Sequence, residues 1–119
     1  MSSYSLLFTS ILLAAVGQLL MKCGMRIIGV FSITSLPEKL IPIFFNPYVF
    51  SGLSCFVISS VIWLVILSRT DLSLVYPMVS IAYIVVVFLS WIILKENVTA
   101  LRWIGVAIIC LGVYLISRS

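Results

Sequence analysis

Four long apolar stretches divide this chain, and their length constrains it more than any other feature. A helix needs about 20 apolar residues to cross the hydrocarbon of a bilayer. Residues 4–23, 48–68 (YVFSGLSCFVISSVIWLVILS), 72–94 (LSLVYPMVSIAYIVVVFLSWIIL) and 100–117 (ALRWIGVAIICLGVYLIS) each come close to that length or exceed it. Composition agrees, with 64% hydrophobic and 8% charged residues in 119. A soluble domain carries roughly a quarter charged residues, and so short a chain could not hide this much apolar surface from water. The expected fold is an all-α integral membrane protein, with four transmembrane helices forming one domain over residues 1–119. A soluble enzyme is excluded.

The links between the later spans, RTD at 69–71 and KENVT at 95–99, are short enough to force antiparallel neighbours. The segment 24–47 is apolar but broken by Gly29, Pro37, Pro42 and Pro47 and charged at Arg26, Glu38 and Lys39. It is too interrupted to span. Within it, 35–46 reads as a short helix lying in the membrane interface, with Ser35 as its N-cap; the plain alternative is a hydrophobic loop. No Lys or Arg precedes the first apolar run, which is too long for a signal-peptide core, so it is read as a retained span. Lys22, Arg26, Lys39, Lys95 and Arg102 fall on one side of the membrane, Arg69 and Arg118 on the other. The positive-inside rule then makes the first and third loops cytoplasmic and both termini external. Seven basic residues divided between two faces form no nucleic-acid patch. Cys23, Cys55 and Cys110 stand apart and there is no histidine, so neither a disulfide framework nor a metal site is expected.

Polar residues inside spans carry the functional signal, because in a membrane they face a bundle interior or a wet cavity. The first span holds Ser10, Ala14, Gly17, Gln18, Met21 and Lys22 on one broad face. In the second, Gly52, Cys55, Ser59 and Trp63 share a face. The third has Tyr76, Ser80, Tyr83 and Ser90 at one helical stripe. The fourth has Gly105 and Gly112, seven apart. For any single Ser or Gly the ordinary explanation is helix packing; for Gln18 packing and a site are both open. The Tyr76–Ser80–Tyr83 stripe favours a substrate-lined face. The simplest assembly sets the first three spans around a cavity and leaves Gly105 and Gly112 for a dimer contact. Pro77 is either a tolerated proline near a helix start or a hinge beside Tyr76. No span carries a carboxylate at its middle: Glu38, Asp71 and Glu96 lie at ends or in loops, with Asp71 and Thr70 read as a cap. A proton-coupled exporter of cations needs such a buried acid.

These residues resemble the small four-helix members of the drug/metabolite transporter superfamily. GQLLMK at 17–22 resembles the G-x-x-L-M-K that ends the first helix of the small multidrug resistance family; LSW at 89–91 and GVAIICLGV at 105–113 resemble its third-helix end and its glycine dimer contact. The likeness covers the chain except 24–47. The departures are informative. Ala14 stands where that family has a glutamate, and Val79 stands where it has a tryptophan three residues after the tyrosine kept here as Tyr76. The pieces AVGQLLMK, SLVYPMVS and NPYVFSGL are instead similar to EamA-type proteins, including the aminoarabinose–undecaprenyl-phosphate flippase subunits.

That resemblance implies a small multidrug resistance-like bundle in a bacterial inner membrane, working as a homodimer or with a sister subunit. The implied substrate is a polyprenyl-phosphate-linked sugar or similar amphiphile. Lys22 would meet the phosphate with Arg26 in support; Gln18, Trp63, Tyr76, Ser80 and Tyr83 would line the headgroup path. No cofactor and no covalent chemistry are expected. The rival readings are an exporter of small cations or metabolites and an accessory membrane protein without its own substrate.

Overall fold

A computed structural model describes residues 3–119, and the described residues are helical with no strand. The first helix, α1, runs Ser3–Ile28, more than a turn beyond the apolar stretch that announced it. Nothing between Gly24 and Ile28 opposes a helix; Gly29 stops it, with φ +87° and its N–H donated to the Met25 carbonyl at 2.9 Å. That left-handed backbone costs glycine no Cβ clash.

A 3-10 turn at Ile33–Ser35 leads into α2, Leu36–Phe45. Ser35 precedes α2 but does not cap it with its side chain. Its backbone is already in the helical region, and its hydroxyl lies 3.3 Å from that of Ser32. Asn46 makes the true cap one element later. It opens α3 (Pro47–Leu67) by accepting the Tyr48 and Val49 N–H groups at 3.0 and 3.3 Å, while Pro47 fills the first-turn position where no N–H is missed.

The small residues of α1 and α3 form one seam. Ser10, Gly17 and Gly24 recur every seven residues on α1, and Gly52 and Ser59 stand seven apart on α3. Gly17 meets Gly52 and Ser10 meets Ser59, the register of an antiparallel pair. A Cβ on Gly17 would sit 2.8 Å from the Gly52 carbonyl oxygen, and one on Gly52 2.6 Å from that of Gly17, so only glycine permits this approach. The Ser59 hydroxyl donates to the Ser10 carbonyl at 2.8 Å and the Ser10 hydroxyl to the Ser59 carbonyl at 3.1 Å. Both serines are buried. Lipid tails are as apolar as side chains, so close backbone packing and hydrogen bonds hold such helices together.

The third apolar stretch forms two helices, α4 (Leu72–Met78) and α5 (Ser80–Ile92), joined at Val79. Pro77 is the cause: it lacks the N–H that Ser73 would accept, and its ring crowds the preceding turn. At the join, Val79 N–H is shared between the Val75 and Tyr76 carbonyls, both at 3.2 Å, and Ala82 N–H bonds Val79 at 2.8 Å. Asp71 flanks α4 without a side-chain cap, and the Thr70 hydroxyl oxygen is buried with no hydrogen-bond partner. The expected Asp71–Thr70 cap is therefore absent; the extended backbone at Asp71 supplies its carbonyl to Leu74 and Val75 instead.

Leu7, Ile11, Ile66, Val75, Met78 and Ala82 make the core, gathering α1, α3, α4 and α5 at the end that holds the second loop. The last helix, α6 (Ala100–Arg118), is capped by Thr99, which accepts the Arg102 N–H at 3.3 Å. It leans on α5 through Trp103, whose ring lies 4.9 Å from Phe88 and 5.4 Å from Trp91. Only 6% of its apolar stretch is buried. The four stretches Tyr4–Ile28, Pro47–Leu67, Leu72–Ile92 and Ala100–Arg118 are long and apolar enough to cross a membrane. Leu64, Val61, Ile108 and Leu115 on their outer faces are more than half exposed, as lipid-facing residues are. The molecule is an all-α integral membrane bundle.

Candidate functional site

α1 packs closely on α3 and less extensively on α5. What is left is a groove of three adjoining cavities. The first, about 230 Å³, is lined by Ser10, Ala14, Phe56, Trp63, Tyr76 and Val79 among others. The second, about 500 Å³, shares Ala14, Phe56 and Val79 with it and adds Gln18, Tyr83, Val86 and Val87. The third, about 240 Å³, shares Gln18 and Val86 with the second and ends at Lys22, Ser90 and Glu96. The groove thus runs from two aromatic side chains, through a mainly apolar middle, to charged groups at the far end.

Most of the residues singled out in the sequence meet there. Trp63 and Tyr76 stand edge to face with ring centroids 6.4 Å apart, a favoured aromatic geometry. Tyr83 and Gln18 border the widest part. Lys22, one turn beyond Gln18, closes the charged end. Ser80 lines none of the three cavities; Val79 and Ala82 do. The 3-10-like turn at Val79 breaks the uniform helical stripe on which Ser80 was placed between the two tyrosines. Arg26 lies outside the cavities, with its guanidinium 3.8 Å from a Glu96 carboxylate oxygen. Gly105 and Gly112 face open space, with nothing within 4 Å of a Cβ on either.

Ser10, Gly17, Gly52 and Ser59 belong first to the α1–α3 seam, although Ser10 and Ser59 also border the first cavity. Glu96 is the residue that sequence reasoning left in a surface loop. Lys95 adopts φ +56°, a left-handed conformation uncommon outside glycine. The chain doubles back there, and Glu96 N–H bonds the Ser90 carbonyl at 3.1 Å. Only that turn, which Lys95 does not advertise, carries the carboxylate under the end of α5.

Among the described residues, no nucleophile is paired with a base along the groove. The arrangement offers a half-open, apolar-walled passage with a cation, a carboxylate and an amide at one end. Residues 1–118 match the EamA-like transporter family. The chain belongs to that family. Among its relatives is a protein of Proteus mirabilis (strain HI4320) named "Probable 4-amino-4-deoxy-L-arabinose-phosphoundecaprenol flippase subunit ArnF". It is 34% identical over 99% of this chain and 93% of its own length. The protein of the same name from Serratia proteamaculans (strain 568) is 32% identical over 100% and 95%. The subunit named ArnE from Proteus mirabilis is 44% identical, but over 48% of this chain and 50% of its own. No solved structure was found to match. As an EamA-family chain with four membrane-crossing helices, this is a multi-pass membrane protein of a transporter family.

Proposed function

We propose that this EamA-family protein is a subunit of a flippase that moves a polyprenyl-phosphate-linked sugar across the bacterial inner membrane. One observation carries the reading: a groove beside α1 joins an apolar, half-open middle to a charged end at Lys22. An amphiphile needs both. Its headgroup must leave water for a polar path while its tail stays in lipid. Lys22 neutralises the phosphate, with Arg26 in support from outside the cavity, and Gln18, Tyr83, Tyr76 and Trp63 line the way to the other face. The relatives named as aminoarabinose–phosphoundecaprenol flippase subunits support the substrate class. The chain acts without covalent chemistry.

Gly105 and Gly112, on the exposed face of α6, form the contact with a second copy or a sister subunit. The first and third loops face the cytoplasm, where Arg26 and Glu96 meet, and α2 lies in that interface. Pro77 is the hinge about which α4 moves on α5. The test is translocation of a labelled lipid-linked sugar in membrane vesicles with and without the chain. Chain-dependent movement supports the reading. Movement of small cations instead, with the lipid left in place, would replace it by a small-molecule exporter.

A further inference from the structure

The charged end of the groove is not simply cationic. Gln18, Lys22, Ser90 and Glu96 line one cavity of about 240 Å³. A carboxylate beside a phosphate site is unfavourable for a purely anionic headgroup, because like charges repel. It is favourable for a headgroup that also carries a cation. We propose that Glu96 is a specificity residue that binds the amine of a zwitterionic lipid headgroup whose phosphate is held by Lys22. This rests on the flippase reading above and deepens it.

The Glu96 carboxylate lies 3.8 Å from the Arg26 guanidinium. Both side chains are well exposed, at 46% and 36%, and an exposed pair at that separation holds weakly. Arg26 can therefore keep Glu96 near the cavity in the empty state and yield it to an incoming ammonium. The fixed turn at Lys95, with the Glu96 N–H bonded to Ser90, holds the carboxylate's backbone in place during that exchange. Specificity arises on both sides of the balance. An amine gains a charge-assisted bond; a neutral headgroup leaves the carboxylate facing the phosphate with nothing between.

The experiment compares two synthetic probes in membrane vesicles from cells producing the full chain. One is a polyprenyl-phosphate-linked sugar with a free amine; the other is the same lipid with that amine acetylated, which removes the charge. The wild-type chain should move the free amine at least about tenfold faster, the factor one charge-assisted hydrogen bond supplies. Glu96→Gln should bring the two rates within about twofold, and Glu96→Asp should restore part of the preference. Arg26→Gln should lower both rates, since both lipids present the phosphate that Arg26 supports, and leave their ratio intact, since the turn at Lys95 still holds Glu96 in place. An unchanged ratio in Glu96→Gln, with the protein inserted in wild-type amount and still transporting, would overturn the role of Glu96 and leave the flippase reading standing. A ratio that collapses equally in Arg26→Gln would overturn it too, making the ion pair the determinant. Failure of the wild-type chain to move either lipid would remove both proposals together.

Discussion

At the scale of single residues, the same small side chain means different things on different helices. Gly17 and Gly52 lie against each other's backbone, so Gly52→Ala must push α1 and α3 apart. Overpacking of this kind costs about 1–3 kcal/mol. It should lower the unfolding temperature in detergent, and circular dichroism melts check this. Gly112→Ala adds a Cβ that meets nothing within the subunit. It should leave the melt unchanged or raise it slightly, since alanine is the better helix former by about 1 kcal/mol. Equal destabilisation by the two changes would contradict the assigned seam. The sequence made these glycines visible but not their partners, because a small residue on a helix face is compatible with packing, a cavity or a dimer contact. Gln18 and Lys22 were legible for the opposite reason: an amide and a cation in an apolar run need a reason to be there. Glu96 was not, since its place depends on a left-handed lysine.

Among elements, the four spans were plain because hydropathy and length suffice to mark them. What hydropathy cannot mark is where a helix stops beyond the lipid or bends within it. α1 continues to Ile28 until Gly29 turns the chain, and the third stretch splits at Val79. Pro77 announced the weakness but not the twist that takes Ser80 off the groove. If the break serves movement, Pro77→Ala restores an N–H for the Ser73 carbonyl and stiffens the segment. Transport should then fall several-fold while the melting temperature rises. Unimpaired transport in a stiffened protein would make Pro77 a tolerated residue with no hinge role.

At the scale of the whole molecule, the proposed subunit contact lies on the exposed face of α6. α6 packs on α5 through Trp103, sets Ile116 against the core, buries Val106 and offers Gly105 and Gly112 outward. Two helices can approach closely over such a pair, so Gly105→Leu or Gly112→Leu should weaken crosslinking to a second subunit without altering insertion. Persistent crosslinking would move the contact elsewhere. Orientation is tested at the same scale. With Cys23, Cys55 and Cys110 replaced, a cysteine at Ser119 should react with an impermeant reagent from outside and one at Ser35 should not. The reverse pattern would invert the molecule.

All of this converges on Lys22, the cation that closes the groove. Transport of a labelled polyprenyl-phosphate-linked sugar is measured in vesicles for three variants inserted in equal amount. Lys22→Ala should abolish transport, while Lys22→Arg should keep part of it, since charge survives but shape does not. Gln18→Leu should reduce it less than Lys22→Ala, because one neutral hydrogen bond is worth about 0.5–1.5 kcal/mol. Full activity of Lys22→Ala would contradict the account and leave Lys22 as a side chain that marks the membrane edge.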